Sequence, residues 1–166
     1  MFDAWAVSTN TYHGFSLEEA LNGIAKAGFS GVELACVEGW TNHFSVVNYR
    51  EEDLKNLRNS LSRLGLRVVS ISAHSDLSTP EGVSYLEKAL DLARVVGAGV
   101  VNTGTIEEEK KKGILLSNLR VLALEAEKRG VKIGLEIHGD FLKDGLRARE
   151  LMEELNHPAV GINYDT

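Results

Sequence analysis

The chain has 166 residues, of which 43% are hydrophobic, 25% are charged and 7% are aromatic, and this composition argues against a disordered, collagenous or coiled-coil protein. Its net charge of −6 offers no basic face to a phosphate backbone, so we expect no nucleic-acid partner. A single cysteine excludes an internal disulfide framework and fits a reducing compartment. Neither a long apolar run nor a secretory leader is evident, so we expect a cytoplasmic protein that does not enter a membrane.

Helix and strand signals alternate along the chain. The predicted strands lie near residues 4–9, 31–36, 67–73, 99–103, 131–137 and 159–165. The segments between them carry apolar residues at helical spacing, as in residues 17–25, which follow a capping box of Ser16 and Glu19. Four of these helices are expected to stop at glycines with positive φ, at positions 28, 65, 97 and 130, and the fifth at Pro158. Strands that alternate with helices predict βαβ units, and therefore an α/β fold with a parallel sheet.

The strands favour a barrel over a doubly wound sheet because only one face of each is apolar. In residues 131–137 every second residue is apolar, and the residues between them are lysine, glycine and glutamate. A doubly wound sheet buries both faces of its strands, and no glycine-rich phosphate loop follows the first strand. Because a complete (β/α)8 TIM barrel has about 250 residues, we predict a single domain over residues 1–166 with about six βα units, an incomplete barrel whose C-terminal units are missing. Its two open sheet edges predict that the chain is either a piece of a longer enzyme or associates with copies of itself through those edges.

Polar residues cluster where the predicted strands end, which is where barrels build their sites. They are Asn10, Glu33, His74, Asn102, Glu136, His138 and Asp165. Glu136 and Asp165 lie on neighbouring strands, and a carboxylate in a lumen is costly unless a cation or hydrogen bonds compensate it. The pair predicts a divalent metal, with Mn²⁺, Mg²⁺ or Co²⁺ better suited than zinc to an oxygen-rich site. For Glu136 alone, an ion pair with Lys132 on the same face is the alternative.

Three segments resemble one known superfamily. Residues 134–139 and 157–166 are similar to strands five and six of the xylose-isomerase-like TIM barrels, and residues 28–34 resemble the second strand. The resemblance runs along essentially the whole chain. In the sugar branch of that superfamily one metal is held by a Glu on strand five, an Asp on strand six, a His on strand seven and a Glu on strand eight. The resemblance therefore implies that Glu136 and Asp165 are metal ligands, and the other two ligands have no counterpart in this sequence.

The resemblance implies a metal-dependent isomerase or epimerase that acts on a keto sugar or related polyol through an enediolate, with Glu136 as both metal ligand and general base. With only two of the four ligands present, we expect the chain alone to be inactive. One alternative is the abasic-site DNA endonuclease branch, which carries metal-binding histidines on strands three and four, where strand four here has Asn102. Another alternative is a barrel fragment without catalysis.

The remaining candidates are each assigned a role and a structural alternative. His74 and His138 are predicted to bind substrate, and the alternatives are a core histidine and a solvated loop histidine, respectively. Trp40 is predicted to form one wall of a sugar pocket, or else to pack within its loop. Glu33 is predicted to bind substrate or to position neighbouring backbone amides. Cys36 is expected to be a buried small hydrophobe rather than a nucleophile.

Overall fold

A computed structural model of the chain describes residues 5–137 and 141–164. Its strands are β1 (Ala6–Ser8), β2 (Gly31–Ala35), β3 (Arg67–Ser72), β4 (Val100–Thr103), β5 (Lys132–Glu136) and β6 (Val160–Asn163). Its helices are α1 (Leu17–Lys26), α2 (Glu51–Leu64), α3 (Pro80–Val96), α4 (Lys112–Arg129) and α5 (Gly145–Leu155), with 3₁₀ turns at Thr9–Tyr12 and Glu109–Lys111. Each observed strand lies inside the range that the sequence predicts for it.

Local sequence signals set most of the helix boundaries. At the start of α1 the Ser16 hydroxyl accepts a hydrogen bond from the Glu19 backbone N–H, and the Glu19 carboxylate accepts one from the Ser16 N–H, so the predicted capping box is confirmed. At the ends of α2, α3 and α4, glycines 65, 97 and 130 adopt φ angles of 66°, 78° and 67°. The positive φ lets each glycine N–H donate a hydrogen bond to a carbonyl of the last helical turn, and glycine adopts this angle without steric cost.

The end of α5 differs from the expectation. We expected Pro158 to stop this helix, but the helix ends at Leu155 and is capped by Asn156, whose φ is 44° and whose N–H donates to the Met152 carbonyl. Asparagine enters the left-handed region more readily than other residues with a side chain. The stop is therefore a left-handed cap of the same kind as the glycines, with asparagine in place of glycine.

The six strands form one parallel sheet in the order β1-β2-β3-β4-β5-β6. Trp5 precedes the first strand and Tyr164 follows the last, and both line one cavity together with residues from all the strands between them. The sheet is therefore curled around a lumen, with the helices outside it. This arrangement is a TIM barrel through six of its units, which confirms the predicted incomplete barrel for the described residues.

One strand departs from the predicted alternation of faces. The sequence pattern places Val68 on the lumen face together with Ser70. In the structure Val32 pairs with Val68 whereas the next residue, Glu33, pairs with Ser70, so Val69 is an extra residue in β3. Val68 consequently lies in the core, 4% exposed, and Val69 lines the lumen beside Ser70.

The hydrophobic core fills the layer between the sheet and the helices. Its largest fully buried side chains are Leu21, Ile24, Leu34, Ile71, Leu77, Leu86, Leu90, Leu92, Leu115, Leu119, Leu122 and Ile133. The charged run at 107–112 is mostly exposed, with the 3₁₀ turn Glu109–Lys111 immediately ahead of α4. None of the helices in the described ranges combines the length and the apolar character needed to cross a membrane.

Candidate functional site

An open cavity of about 790 Å³ lies at the carboxyl ends of the strands. It is lined by side chains from all six strands and from the loops that follow β1, β2 and β3. Glu33, Trp40, His74 and Glu136 all line this cavity. The structure thus brings together every predicted site residue that it describes, whereas His138 and Asp165 lie outside the described residues.

Glu136 is the last residue of β5, and its carboxylate faces the cavity. Its Oε2 atom lies 3.4 Å from the His74 ring nitrogen Nε2 and accepts a hydrogen bond of 3.1 Å from the Asn163 amide. The Glu136 and His74 side chains are 17% and 26% exposed, so both are largely withdrawn from water. Lys132 is exposed four residues earlier on the same strand, about 13 Å away along the strand. His74 and Asn163, rather than Lys132, are therefore the neighbours of this carboxylate.

His74 follows β3 and reaches over the end of β4 to meet Glu136 on β5. The residue beneath the ring is Gly104, where a Cβ atom would lie 3.5 Å from His74 Nδ1. A side chain at position 104 would therefore reach van der Waals contact with the imidazole. The 3.4 Å approach to Glu136 and the lining of the cavity by His74 place this residue in the site, which argues against the alternative of a core histidine.

Glu33 lies deeper in the lumen, on β2. Its Oε2 atom accepts hydrogen bonds from the Ser70 hydroxyl at 2.8 Å and from the Asn102 amide at 2.7 Å. These partners are side chains of β3 and β4, so the carboxylate ties three neighbouring strands together through side chains, not through the backbone amides of the structural alternative. Substrate binding by Glu33 stays a prediction, since its carboxylate also lines the cavity.

Asn102 occupies space that a side chain on β5 would otherwise take. Asn102 and Gly134 are register partners in neighbouring strands. A Cβ atom at Gly134 would lie 2.3 Å from Asn102 Oδ1 and 3.4 Å from the Cβ atom of Asn163. Contacts under 3 Å between such atoms are essentially never seen, so a side chain at Gly134 would force the Asn102 amide to move. Sequence reasoning identified Asn102 as a polar strand end but gave no sign of this dependence.

A cluster of four side chains lies beside β1 and β2, and two of its members, Asn10 and Trp40, line the cavity. Asn10 Oδ1 lies 2.6 Å from the Thr41 hydroxyl and 3.1 Å from the Trp40 indole Nε1. The same hydroxyl lies 2.6 Å from His13 Nδ1, and the His13 ring stacks on Trp40 with centroids 4.5 Å apart. Trp40 is 64% exposed and Thr41 is 3% exposed. His13 and Thr41 escaped the sequence analysis because they lie in loops, where hydrophobic periodicity carries no signal.

Cys36 lies on the helix-facing side and is fully buried. Burial raises the pKa of the Cys36 thiol far above its usual range, and the nearby Glu33 charge raises it further. A thiol that stays protonated is a poor nucleophile. The prediction of a buried small hydrophobe is confirmed.

At the mouth of this cavity, the Glu136 carboxylate and the neighbouring His74 ring are donors suited to a divalent cation. Within residues 5–137 and 141–164, no three His, Cys, Asp or Glu side chains converge as a metal-binding group. A half-buried carboxylate next to an imidazole fits a cation that carries both oxygen and nitrogen ligands. Asp165, the second predicted ligand, lies outside the described residues.

Known proteins share this architecture. The chain is 25% identical over 162 residues to the 3-dehydroshikimate dehydratase of Pseudomonas putida, a match that covers 91% of this chain and 24% of that protein. A xylose isomerase-like TIM barrel protein from Mycobacterium smegmatis, solved in complex with magnesium, has a TM-score of 0.81 at 18% identity, covering 95% of this chain and 63% of that one. D-allulose 3-epimerase from Methylomonas sp., in complex with D-allulose, has a TM-score of 0.77 at 19% identity, covering 96% and 61%.

These matches differ in extent. The chain spans about a quarter of the length of the dehydratase and about three fifths of the two solved chains. At 18–19% identity the solved structures establish a shared fold. The family described as xylose isomerase-like TIM barrel matches residues 21–166, most of the chain. On this match, and on a parallel sheet curled around a polar lumen, the chain belongs to the xylose isomerase-like TIM barrel family.

Proposed function

We propose that this chain carries the proton-abstracting half of a divalent-metal-dependent isomerase or epimerase that acts on a keto sugar or related polyol. The observation that carries the proposal is the placement of the Glu136 carboxylate, 3.4 Å from the His74 ring at the end of a barrel strand. Both groups line an open cavity of about 790 Å³, large enough for a small sugar. The exposed face of Trp40 in the same cavity suits the apolar face of a sugar ring.

Glu136 acts as the general base in this proposal. Its carboxylate takes the proton from the carbon next to the substrate carbonyl, and the C–H electron pair forms the double bond of an enediolate, with the negative charge moving to the carbonyl oxygen. The Asn163 amide and the His74 ring, which contact the same carboxylate oxygen, hold it in place. Return of the proton to the neighbouring carbon gives aldose–ketose isomerisation, whereas return to the opposite face of the same carbon gives epimerisation.

A divalent cation, Mn²⁺, Mg²⁺ or Co²⁺, would be held by Glu136 and, as the family resemblance implies, by Asp165. When bound, such a cation supplies Lewis-acid stabilisation of negative charge on a carbonyl oxygen. The relative solved with magnesium supports this choice of cation class.

Dehydration is the second candidate, and the match to 3-dehydroshikimate dehydratase favours it. Elimination of water from a β-hydroxy ketone begins with the same step, removal of a proton next to the carbonyl. The two reactions then diverge, because in dehydration the enolate electrons break the bond to the β-hydroxyl, which takes up the proton removed from the substrate and leaves as water, so that no proton returns to carbon. Glu136 has the same role in both reactions, so the substrate decides between them.

The test is proton exchange at the carbon next to the carbonyl, followed by proton NMR in D₂O. The substrates are D-fructose, D-allulose, L-ribulose and 3-dehydroshikimate, each with Mg²⁺, Mn²⁺ or Co²⁺. The enzyme is the product of the complete reading frame, because this chain spans only about three fifths of its solved neighbours. We expect exchange with at least one ketose, and 3-dehydroshikimate as the sole substrate would decide for dehydration.

The variant Glu136→Gln removes the base while keeping the shape of the side chain, and we expect it to slow the exchange by about a thousandfold. The matched control is Glu52→Gln, on the exposed face of α2 far from the cavity, which is expected to exchange at the wild-type rate. Wild-type exchange in the Glu136→Gln variant would contradict the role of Glu136.

A further inference from the structure

We propose that Asn10 is a specificity-determining residue that donates a hydrogen bond from its amide nitrogen to a hydroxyl or carbonyl oxygen of the substrate. This inference rests on the proposed function, because it takes the cavity to be the substrate site. Asn10 lies in the 3₁₀ turn after β1 and lines the cavity beside Trp40. Nothing in the proton-transfer chemistry above uses it.

The hydrogen bonds of Asn10 determine which way its amide faces. The indole N–H of Trp40 can only donate, and it lies 3.1 Å from the amide atom Oδ1. That atom must therefore be the oxygen, which removes the usual ambiguity between the two ends of an asparagine side chain. The Thr41 hydroxyl, 2.6 Å from the same oxygen, must donate its single proton to it.

The donor and acceptor roles assigned to Thr41 also determine which role His13 has. Because the Thr41 hydroxyl has given its only proton to Asn10, it accepts at its other contact, 2.6 Å from His13 Nδ1. His13 Nδ1 therefore carries a hydrogen. We call this sequence of bonds, from His13 through Thr41 to Asn10, the amide relay. It is anchored on Thr41, which is buried, and it is backed by the His13 ring stacked on Trp40.

The amide relay leaves one end of Asn10 for a ligand. Two donors occupy both lone pairs of Oδ1, and the amide nitrogen Nδ2 has no hydrogen-bond acceptor among the protein atoms of the described ranges. The nitrogen thus presents two N–H donors at the cavity wall, next to the Trp40 face that His13 leaves uncovered. An amide donor beside an aromatic face fits a ring or chain that exposes C–H groups on one side and an acceptor oxygen at its edge, as a neutral polyol does.

The test measures D-allulose affinity by calorimetry and KM and kcat by turnover, on the product of the complete reading frame. Asn10→Asp keeps an oxygen for Trp40 and Thr41 but replaces the donating nitrogen with an acceptor. We expect it to weaken D-allulose binding and raise KM by about tenfold or more, with kcat changed less than about threefold, since proton transfer is untouched. Asn59→Asp, an exposed asparagine on α2, is the matched control and is expected to bind as the wild type does.

The amide relay is tested by substitutions at Thr41. They distinguish two roles of this side chain, namely filling space and orienting the Asn10 amide through its hydroxyl. Thr41→Val keeps the shape but lets the Asn10 amide rotate, so we expect KM to rise about three- to tenfold. Thr41→Ser restores the hydroxyl, and we expect it to bring KM back to within about twofold of the wild type. Nitrogen NMR of the unliganded protein provides a readout without substrate, because the amide relay requires the Nδ1–H tautomer of His13.

The outcomes separate this inference from the proposed function. Affinity that depends on Asn10 without any proton exchange overturns the proposed function and keeps the assignment of Asn10. Proton exchange with unchanged D-allulose affinity in Asn10→Asp overturns the assignment of Asn10 and keeps the function. Failure of the wild type to bind D-allulose overturns the assignment, and an Nε2–H tautomer of His13 overturns the direction of the amide relay.

Discussion

Glu33 and Glu136 are both lumen-facing glutamates, and their surroundings are different. Glu33 lies inside the barrel and accepts hydrogen bonds from neutral side chains of the two following strands, including the Asn102 amide at 2.7 Å. Glu136 lies at the end of its strand, with the His74 ring 3.4 Å away and the Asn163 amide at 3.1 Å. Both carboxylates line the same cavity.

The difference shows that position on the lumen face does not by itself assign a chemical role. Glu33 accepts hydrogen bonds from neutral donors on two strands, and it therefore links these strands to its own. Such bonds are effective links because hydrogen bonds to an ionised group are stronger than those between neutral groups. An imidazole neighbour at the mouth of the barrel gives Glu136 a partner that can itself hold a proton. The partners of each carboxylate, and its depth in the lumen, therefore distinguish the structural tie of Glu33 from the catalytic role proposed for Glu136.

The largest expected effect comes from Gly134→Ala, which disrupts the hydrogen bond from the Asn102 amide to Glu33. The added Cβ atom, 2.3 Å from Asn102 Oδ1, forces the Asn102 side chain away and with it the hydrogen bond to Glu33. We expect the free energy of unfolding to fall by about 3 kcal/mol, from overpacking and a lost charged hydrogen bond, measured by urea denaturation. Gly161→Ala is the control, since Gly161 is the register partner of Gly134 and a Cβ there meets no atom within 4 Å. Equal losses in the two variants would contradict this account.

The second prediction compares the two glutamates directly. Glu33→Ala leaves the Ser70 hydroxyl and the Asn102 amide without their acceptor inside the lumen, and we expect it to lower the free energy of unfolding by about 2 kcal/mol. Glu136→Ala removes a carboxylate at the open mouth of the cavity, and we expect the free energy of unfolding to change by less than about 1 kcal/mol. Activity is expected to follow the opposite order, with the larger loss in Glu136→Ala. A larger stability loss at Glu136 than at Glu33 would reverse the assignment of the two roles.

The smallest expected effect concerns the pH dependence of stability through Cys36, which lies behind Glu33. Burial, and secondarily the Glu33 charge, raise the pKa of this thiol in the folded state. A raised folded pKa contributes stability that is complete below the unfolded pKa of about 8.5 and is lost as the pH rises above it. Between pH 8 and pH 9.5 we expect the free energy of unfolding to lose about 1 kcal/mol from this group.

The control for this pH effect is Cys36→Ala. We expect this substitution to remove the loss between pH 8 and pH 9.5, whatever it does to the stability at pH 7. Glu33→Gln is expected to keep most of it, because burial is the larger cause of the raised pKa. An unchanged pH dependence in Cys36→Ala would show that another group is responsible.

The sequence predicts the strands and the content of the cavity well, for a simple reason. Parallel strands end on one side of the sheet, and side chains alternate between its faces. Glu33, His74 and Glu136 could therefore be placed in one lumen from their positions in the pattern alone, and the structure has all three in one cavity. Trp40 joins them because it follows β2 on the same side.

The contacts within the cavity could not be predicted from the sequence. They depend on which residues are level in neighbouring strands, and a shift of one residue changes every such pair. The contact of His74 with Glu136 crosses a whole strand, and the amide relay joins the loops after β1 and β2. Neither has a sequence signature. The left-handed cap at Asn156 is different, since an asparagine at the end of a helix was a signal available beside Pro158.

The extra residue at Val69 determines how β3 can be aligned with the strands of its relatives. Ser72, Asn102 and Gly134 lie at one level of the sheet, yet they stand seven, five and four positions after the glycines that end their preceding helices. Without Val69, Val68 would still pair with Val32 and Ser70 with Glu33, so the following side chains, His74 among them, would keep their faces. For a relative that lacks this extra residue, the gap in a sequence alignment belongs opposite Val69, and a gap placed after Val69 shifts which residue is assigned to the cavity. Homologous positions in β3 therefore correspond by strand pairing and not by their spacing from the preceding glycine.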